Sequence, residues 1–363
     1  MKRLSHIAPL LLMLVVIAGC TRKADDDISF LKTATAPTDE AVNFKITNDN
    51  SGLVTITPHS AGASAYDIYF GDATTEPAHI MPGQSATHIY KEGVYPVKVV
   101  ATGISGLQTD TTKQLSLLFR APEAVTINAT TEQHVITVSA TAQYATGGFK
   151  VYFGEDADEV PVTIAAGASA MHTYATAGAY TVKVEALSGG AATTTATQAI
   201  TIYDPLALPM TFELPTVNYA WGDFGGSATS VIPNPARTGI NTSATVGKIV
   251  KNAPETWAGN YIVLSAPLDF TVNKKFKVKV YAYRVGMRVL LQLERSGDNT
   301  FQENLEAVTT VANTWEELTF DFSGKITDNS KQLQNVLFFL DNGTQGDGTN
   351  NYTLLFDDIV LTN

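Results

Sequence analysis

The chain contains one strand pattern twice, about 84 residues apart. The stretch YDIYFGD (66–72) matches FKVYFGE (149–155), and HIYKEGVYPVKV (88–99) matches HTYATAGAYTVKV (172–184). In the second copy, Tyr180, Val182 and Val184 alternate with polar residues, which is the period of a half-buried antiparallel strand. A repeat of this length is a small domain rather than one unit of a solenoid. The chain is therefore predicted to contain two copies of a small β-domain.

Composition extends the β prediction to the whole chain. Of the 363 residues, 44% are hydrophobic and 16% charged, as in a globular protein. A chain of this length exceeds one ordinary core, and no long stretch keeps the helical period of 3.6. The predicted fold is all-β, with domains at 38–119, 120–204 and 205–363. The net charge of −11 argues against nucleic acid as a partner.

The repeated motif carries a family resemblance. HTYATAGAYTVKV, with VYFGE before it, resembles the PKD domain, an immunoglobulin-like β-sandwich. The resemblance implies two PKD-like sandwiches in tandem, which commonly act as spacers. His88 and His172 recur at equivalent places, so a structural role within each module is expected rather than metal binding or catalysis.

The N-terminus has the features of a secretory signal. Basic residues precede an apolar stretch at 7–17, which is too short for a membrane span. The sequence IAGC, ending at Cys20, resembles the bacterial lipobox, which implies a signal peptide at 1–20 and lipid on Cys20. Residues 21–37 would form an acidic tether, and Asp25–Asp27 resemble the surface-export signal of Bacteroidota lipoproteins. An ordinary signal peptide and a simple solvated tether are the alternatives.

The segment after YDPLALP (203–209) differs from the repeats. Residues 210–363 contain no His and no Cys, which excludes a Ser-His-Asp triad, a Cys nucleophile and a His-ligated zinc in that domain. A glycosidase-type carboxylate pair stays formally open. MTFELP, TWEELTFDFSG and YTLLFDDIVL resemble the frame of β-jelly-roll carbohydrate-binding modules, the galactose-binding-like group. The stretch at 231–264 is similar to glycan-binding lipoproteins and laminarinase-associated domains of Bacteroidota.

Candidate sugar-binding residues fall into two groups. Aromatic residues in Gly- and Pro-flanked loops can stack on the C–H face of a sugar ring, and polar residues beside them can bond the hydroxyls. The first group is Tyr219, Trp221 and Trp257, with Phe224 displayed in the same Gly-flanked loop as Trp221. The second, expected on the polar face of the strands within 276–295, is Tyr281, Tyr283, Arg288 and Gln292. Trp315 begins a strand and is predicted to lie in the core.

The domain that the C-terminal part resembles often holds a structural Ca²⁺ between its first and last strands. Glu213, Asp357 and Asp358 are the corresponding acidic residues here, and backbone carbonyls would complete the oxygen ligands. A structural calcium ion is therefore expected, whereas the loop at 341–351 lacks the closing Glu of an EF-hand.

These observations favour a non-catalytic surface lipoprotein. It would be anchored in the outer membrane by lipid and would bind a neutral polysaccharide, such as the β-1,3-glucan laminarin, for capture beside an outer-membrane importer. The alternatives are a small glycan-degrading enzyme and a surface adhesin that binds protein partners.

Overall fold

A computed structural model describes residues 29–363. The predictions for the signal peptide, for lipidation at Cys20 and for Asp25–Asp27 lie outside the described residues. Within 29–363, no helix has the length and apolar character that a membrane span needs. The described helices are three short 3-10 turns, at Ser29–Lys32, Phe322–Gly324 and Asn350–Tyr352.

Strands dominate the described residues, so the all-β prediction is confirmed. The strands pair into six antiparallel sheets, two for each of three sandwiches. The chain divides into two compact units. One contains the described residues up to Arg120, with Gly189–Ala191, and the other contains Ala121–Ser188 and Ala192–Asn363.

The first sandwich packs a sheet of order β1-β2-β5 on a sheet of order β4-β3-β6-β7. Buried aliphatic and aromatic residues from both sheets form its core. Its strands are β1 (Thr38–Ile46), β2 (Leu53–Ala61), β3 (Ala63–Tyr69), β4 (Ala78–Ile80), β5 (Ala86–Ile89), β6 (Gly93–Gly103) and β7 (Gln108–Leu117).

The second sandwich repeats this plan, with sheet orders β12-β9-β8 and β11-β10-β13-β14. Tyr180, Val182 and Val184 alternate with outward residues on β13, and both valines are fully buried. Its strands are β8 (Glu123–Glu132), β9 (Val135–Gln143), β10 (Gly148–Tyr152), β11 (Val162–Ile164), β12 (Ser169–Thr173), β13 (Gly178–Leu187) and β14 (Thr193–Ile202).

The repeated histidines have the same environment in both sandwiches. The ring of His88 stacks on Phe70 at 3.9 Å between centroids, and its Nε2 lies 2.7 Å from the Asp72 carboxylate. His172 stacks on Phe153 at 4.5 Å, and its Nε2 lies 2.9 Å from Glu155. Each histidine is therefore part of the packing of its own module.

The third sandwich has two five-stranded sheets. We call the sheet of order β15-β18-β23-β20-β21 the front sheet and the sheet of order β16-β17-β24-β19-β22 the back sheet. The strands are β15 (Gly222–Phe224), β16 (Ser227–Pro233), β17 (Thr245–Lys251), β18 (Gly259–Val263), β19 (Lys275–Ala282), β20 (Arg288–Arg295), β21 (Asp298–Val308), β22 (Trp315–Asp321), β23 (Leu333–Leu340) and β24 (Thr353–Thr362).

The largest core of the described residues lies between the front and back sheets. On β19 and β20, every second residue is fully buried in this core, because successive side chains of a strand point to opposite faces. The alternation leaves one face of the front sheet pointing away from the core. That face carries the candidate site.

Candidate functional site

Four aromatic side chains share the outer face of the front sheet. Register places them together: Phe224 of β15 is paired with Gly259 of β18, and Gly259 is paired with Phe339 of β23. Tyr261 lies two residues along β18 on the same face, and Trp257 lies in the loop just before that strand. We call Phe224, Trp257, Tyr261 and Phe339 the aromatic shelf.

Three of the shelf rings are near-parallel, and the fourth, Phe339, meets Phe224 edge-on at 60°. The ring of Phe224 lies within 16° of the plane of Trp257 and within 23° of the plane of Tyr261, at centroid distances of 6.0 and 6.5 Å. The side chains of Trp257 and Tyr261 are 50% and 40% exposed. An exposed, near-parallel set of rings provides faces on which a planar or chair-shaped apolar surface can pack.

Two glycines make room for the rings. A Cβ on Gly222 would collide with the ring of Tyr261, and a Cβ on Gly259 would lie 2.8 Å from Cζ of Phe224. Real Cβ atoms do not approach ring carbons so closely. The rings of Tyr261 and Phe224 can therefore pack over Gly222 and Gly259 only because these two residues have no side chain.

Polar groups border the shelf. A pocket of about 440 Å³ is lined by the shelf residues and Leu337, and also by Glu294, Asn299 and Asn335. Gln292 lies beside it and donates from Nε2 to Glu294 at 2.6 Å. Among the described residues, none donates a hydrogen bond to the buried Oδ1 of Asn335. The site thus combines apolar faces with amide and carboxylate groups that can bond hydroxyls.

A buried lysine fixes the loop that carries Trp257. Lys251 is fully buried, and its ammonium group donates to the carbonyl oxygens of Thr256 and Leu340, each at 2.7 Å, and of Asp341 at 3.2 Å. Burial lowers the pKa of Lys251, because desolvation disfavours its charged form. The three carbonyls join the Trp257 loop to the end of β23, and so hold the shelf together.

Of the two loop tryptophans that the sequence singled out, the structure places only Trp257 on the shelf. Trp221 is partly buried and packs edge-on against the core residue Phe356, at 5.2 Å between centroids. Tyr219 also packs on the core, 5.0 Å from Phe212, and burial raises the pKa of its hydroxyl. The glycines after Trp221 do not form a flexible display loop, because Gly222 already belongs to β15.

The expectation that the strands within 276–295 share one polar face is wrong. β19 lies in the back sheet and β20 in the front sheet, so the chain crosses between sheets near Gly286. Tyr281 therefore packs on the back sheet against Trp315, at 5.7 Å, and Tyr283 contacts Tyr281. Arg288 and Gln292 do lie on the front sheet.

Arg288 has protein partners at one end of the front sheet. Its guanidinium donates to the carbonyl oxygen of Asn342 at 2.9 Å and lies 3.8 Å from the Glu306 carboxylate. Trp315 is buried, with Nε1 donating to the Ala236 carbonyl at 2.6 Å, although it packs in a small cluster with Val246 and Leu355 rather than in the main core.

The three acidic residues expected to bind calcium do not converge. Glu213 accepts from the backbone N–H of Thr245 at 2.7 Å, and Asp358 pairs with Lys279 at 2.6 Å. Asp357 is fully buried and accepts from Asn241 at 2.9 Å, and burial raises its pKa to about 6. Within residues 29–363, no three His, Cys, Asp or Glu side chains group as metal ligands. Each of the three residues therefore has its own protein partner, and the calcium ion that the resemblance implies stays a prediction.

Sequence reasoning missed Tyr261 and Phe339, and it placed Phe224 in a display loop rather than on strand β15. On β18, Tyr261 points to the face opposite that of the buried Ile262. Phe339 belongs to the run VLFFL (336–340), which places apolar residues on both faces of its strand. Bulky apolar residues on the solvent-facing side of a strand indicate a possible binding face, and this pattern can be read from the sequence. Phe224 is harder to recognise, because its place depends on pairing with a strand some 35 residues later.

Comparison with known proteins gives structural neighbours alone. No protein-family model matches the chain, and no curated protein sequence matches it. A structure described as SGBP-B from a complex xyloglucan utilization locus in Bacteroides uniformis is 12% identical, with a TM-score of 0.31, over 90% of this chain and 99% of that one.

Two further neighbours are carbohydrate-binding modules. A family 11 module from Clostridium thermocellum, in complex with a β-1,3-1,4-mixed-linked tetrasaccharide, is 12% identical with a TM-score of 0.31, over 43% of this chain and 97% of that one. A further structure, described as a structural basis for the promiscuous specificity of carbohydrate-binding modules from the β-sandwich superfamily, is 13% identical with a TM-score of 0.28. The match covers 67% of this chain and 99% of that one. At TM-scores this low, what those proteins bind does not transfer to this chain.

Proposed function

We propose that this protein is a non-catalytic glycan-binding protein and that the aromatic shelf is its binding site. The observation that carries the proposal is the set of near-parallel rings of Trp257, Phe224 and Tyr261, of which Trp257 and Tyr261 are exposed, with amide groups at their border. One face of a glucose ring is a patch of axial C–H groups, which loses water when it packs on an aromatic ring. The equatorial hydroxyls then reach the polar border.

The charge of the site favours a neutral ligand. No Lys or Arg is among the described residues that line the shelf pocket, and Glu294 contributes a carboxylate. The arginines at the two ends of β20 already have partners: Arg288 lies 3.8 Å from the Glu306 carboxylate, and Arg295 donates to the carbonyl oxygens of Lys331 and Ser330. An anionic polysaccharide would therefore meet repulsion without a cation to offset it. Together with the sequence resemblance, this supports a neutral β-glucan, for which we propose β-1,3-glucan such as laminarin.

Binding without hydrolysis is part of the proposal. Glycosidases ordinarily use two carboxyl groups placed on either side of the scissile bond. Glu294 is the single carboxylate among the described residues that line the shelf pocket. Release of reducing ends from laminarin by the purified protein would contradict this part of the proposal.

The cellular role that we propose follows from the N-terminal sequence. Lipid on Cys20 would anchor the protein in the outer membrane, and Asp25–Asp27 would direct it to the cell surface, where it would capture polysaccharide for an importer. Replacing Cys20 by Ser should abolish incorporation of labelled fatty acid. Replacing the three aspartates by Ala should keep lipidation and reduce protease accessibility on intact cells.

The binding proposal is tested by affinity electrophoresis against neutral and anionic polysaccharides, with wild type beside Trp257→Ala. We expect retardation by a neutral β-glucan, laminarin first, that is lost in Trp257→Ala. Equal retardation of the two proteins in every gel would contradict the assignment of the shelf.

A further inference from the structure

A second pocket, of about 450 Å³, lies at the junction of the second and third sandwiches, which belong to one compact unit. Thr131 and Gln133 line it from the second sandwich. Tyr203 lines it from the connecting segment, with its side chain 38% exposed. Asn218 and Val263 line it from the third sandwich. One accessible aromatic ring among amides and hydroxyls repeats the chemistry of the shelf.

The junction pocket adjoins the aromatic shelf. Val263 lines the junction pocket and lies two residues after Tyr261 on the same face of β18, about 7 Å along the strand. Val263 is also the cross-strand partner of Asn335, which lines the shelf pocket. The two pockets are therefore lined by neighbouring positions on one face of the front sheet.

Hydrogen bonds hold the walls of the junction pocket in place. Oδ1 of Asp204 accepts from Nε2 of His134 in the second sandwich at 3.0 Å, and the backbone N–H of Asp204 donates to the Thr216 carbonyl at 2.7 Å. Leu206 and Ser265 exchange two further bonds, each of 2.8 Å. The pocket is therefore formed before any ligand arrives, as is usual for small-molecule sites.

We propose that a polysaccharide bound on the aromatic shelf continues along β18 into the junction pocket, which is a second sugar subsite. There the ring of Tyr203 stacks on a further sugar residue, and the amides of Gln133 and Asn218 bond its hydroxyls. This inference rests on the proposed function, since it extends the same ligand. It changes the role expected for the second sandwich, which then contacts the ligand as well as adding reach.

A subsite of this kind makes affinity depend on ligand length. A disaccharide can occupy the shelf alone, whereas a longer chain reaches both sites and gains the second stacking contact. One aromatic contact is worth roughly 1 kcal/mol or somewhat more, which corresponds to about tenfold in affinity.

Isothermal titration calorimetry on the intact protein tests this, with laminarin and laminaribiose as probes. We expect Tyr203→Ala to weaken laminarin binding about tenfold and laminaribiose binding much less. Asn218→Ala, an exposed position, should weaken laminarin binding in the same selective way. Tyr69→Ala is the matched control, because Tyr69 is 40% exposed on the first sandwich. Thermal melts of each variant verify that it is folded.

The outcomes separate the two proposals. If Trp257→Ala weakens binding of both probes while Tyr203→Ala and Asn218→Ala bind laminarin like wild type, the junction subsite is overturned and the shelf stands. If Trp257→Ala binds both probes like wild type, the shelf and the proposed function fail. A selective loss for laminarin in Tyr203→Ala, absent in Tyr69→Ala, supports the subsite.

Discussion

The ammonium group of Lys251 lies 2.7 Å from the carbonyl oxygen of Thr256, the residue immediately before Trp257. This bond connects a fully buried cation on β17 to the loop that presents the most exposed ring of the shelf. A side chain in the core thereby positions a side chain in the binding face.

Lys251→Met should lower both stability and glycan affinity. The variant keeps the apolar stem but leaves the carbonyls of Leu340 and Asp341 without their cationic donor, so we expect a loss of roughly 2–3 kcal/mol in the free energy of unfolding. The Trp257 loop then loosens, and affinity falls. Urea unfolding and titration with laminarin measure the two effects. Lys248→Met, on the opposite face of the same strand, is the control and should change neither.

Trp257→Ala should weaken glycan binding about tenfold at nearly constant stability. The residue is half exposed, so its removal takes less buried surface from the folded state than removal of the buried Trp315 does. Trp257→Phe keeps a ring on the shelf and should lose less affinity. A large fall in the melting temperature of Trp257→Ala would mean that the residue supports the fold rather than the ligand.

The other two tryptophans should behave in the opposite way. Trp315→Ala removes a buried ring and its hydrogen bond to Ala236, so we expect a loss of about 3–5 kcal/mol in unfolding free energy. Trp221→Ala should also destabilise, because the ring packs on Phe356. Chemical denaturation followed by tyrosine fluorescence or circular dichroism measures both. Normal stability with abolished binding in Trp221→Ala would place that ring at the ligand instead.

Asp357 should give the protein a measurable pH dependence. Its pKa is raised by burial from 3.8 to about 6, so between these values the folded state binds more protons than the unfolded state. The Asp357 contribution to the free energy of unfolding therefore falls as pH rises from about 4 to about 6, and it is constant above that range. Asp357→Asn does not titrate and should lack this part of the slope. Urea titrations across the range compare the two proteins, and identical slopes would contradict the assignment.

Local patterns in the sequence predicted individual strands of the repeats. The alternation of Tyr180, Val182 and Val184 is visible in the sequence because a strand repeats every two residues. The pairing partners are a different matter. β19 and β20 are adjacent in the chain and read as a hairpin around Gly286, yet they belong to opposite sheets. Which strands pair is decided by long-range burial, and a single sequence contains little direct information about it.

The site was predicted in part for the same reason. Trp257 and Gln292 lie at or beside the shelf, whereas Tyr281 lies on the back sheet because β19 pairs there, and Tyr283 follows the end of that strand and contacts Tyr281. The family resemblance grouped Asp357 and Asp358 as metal ligands, but in the structure their side chains have different partners. One carboxylate is buried beside Asn241, and the other meets Lys279.

The openness of the shelf determines which part of a polymer the protein can recognise. The rings lie on the outer face of a sheet, and Gly222 and Gly259 leave no side chain standing between them. A ligand that lies across such a face is held by its middle, and neither its reducing end nor its non-reducing end has to be free. Many copies of the protein can then bind along a single polysaccharide, so a cell carrying them would bind one polysaccharide molecule at several points at once.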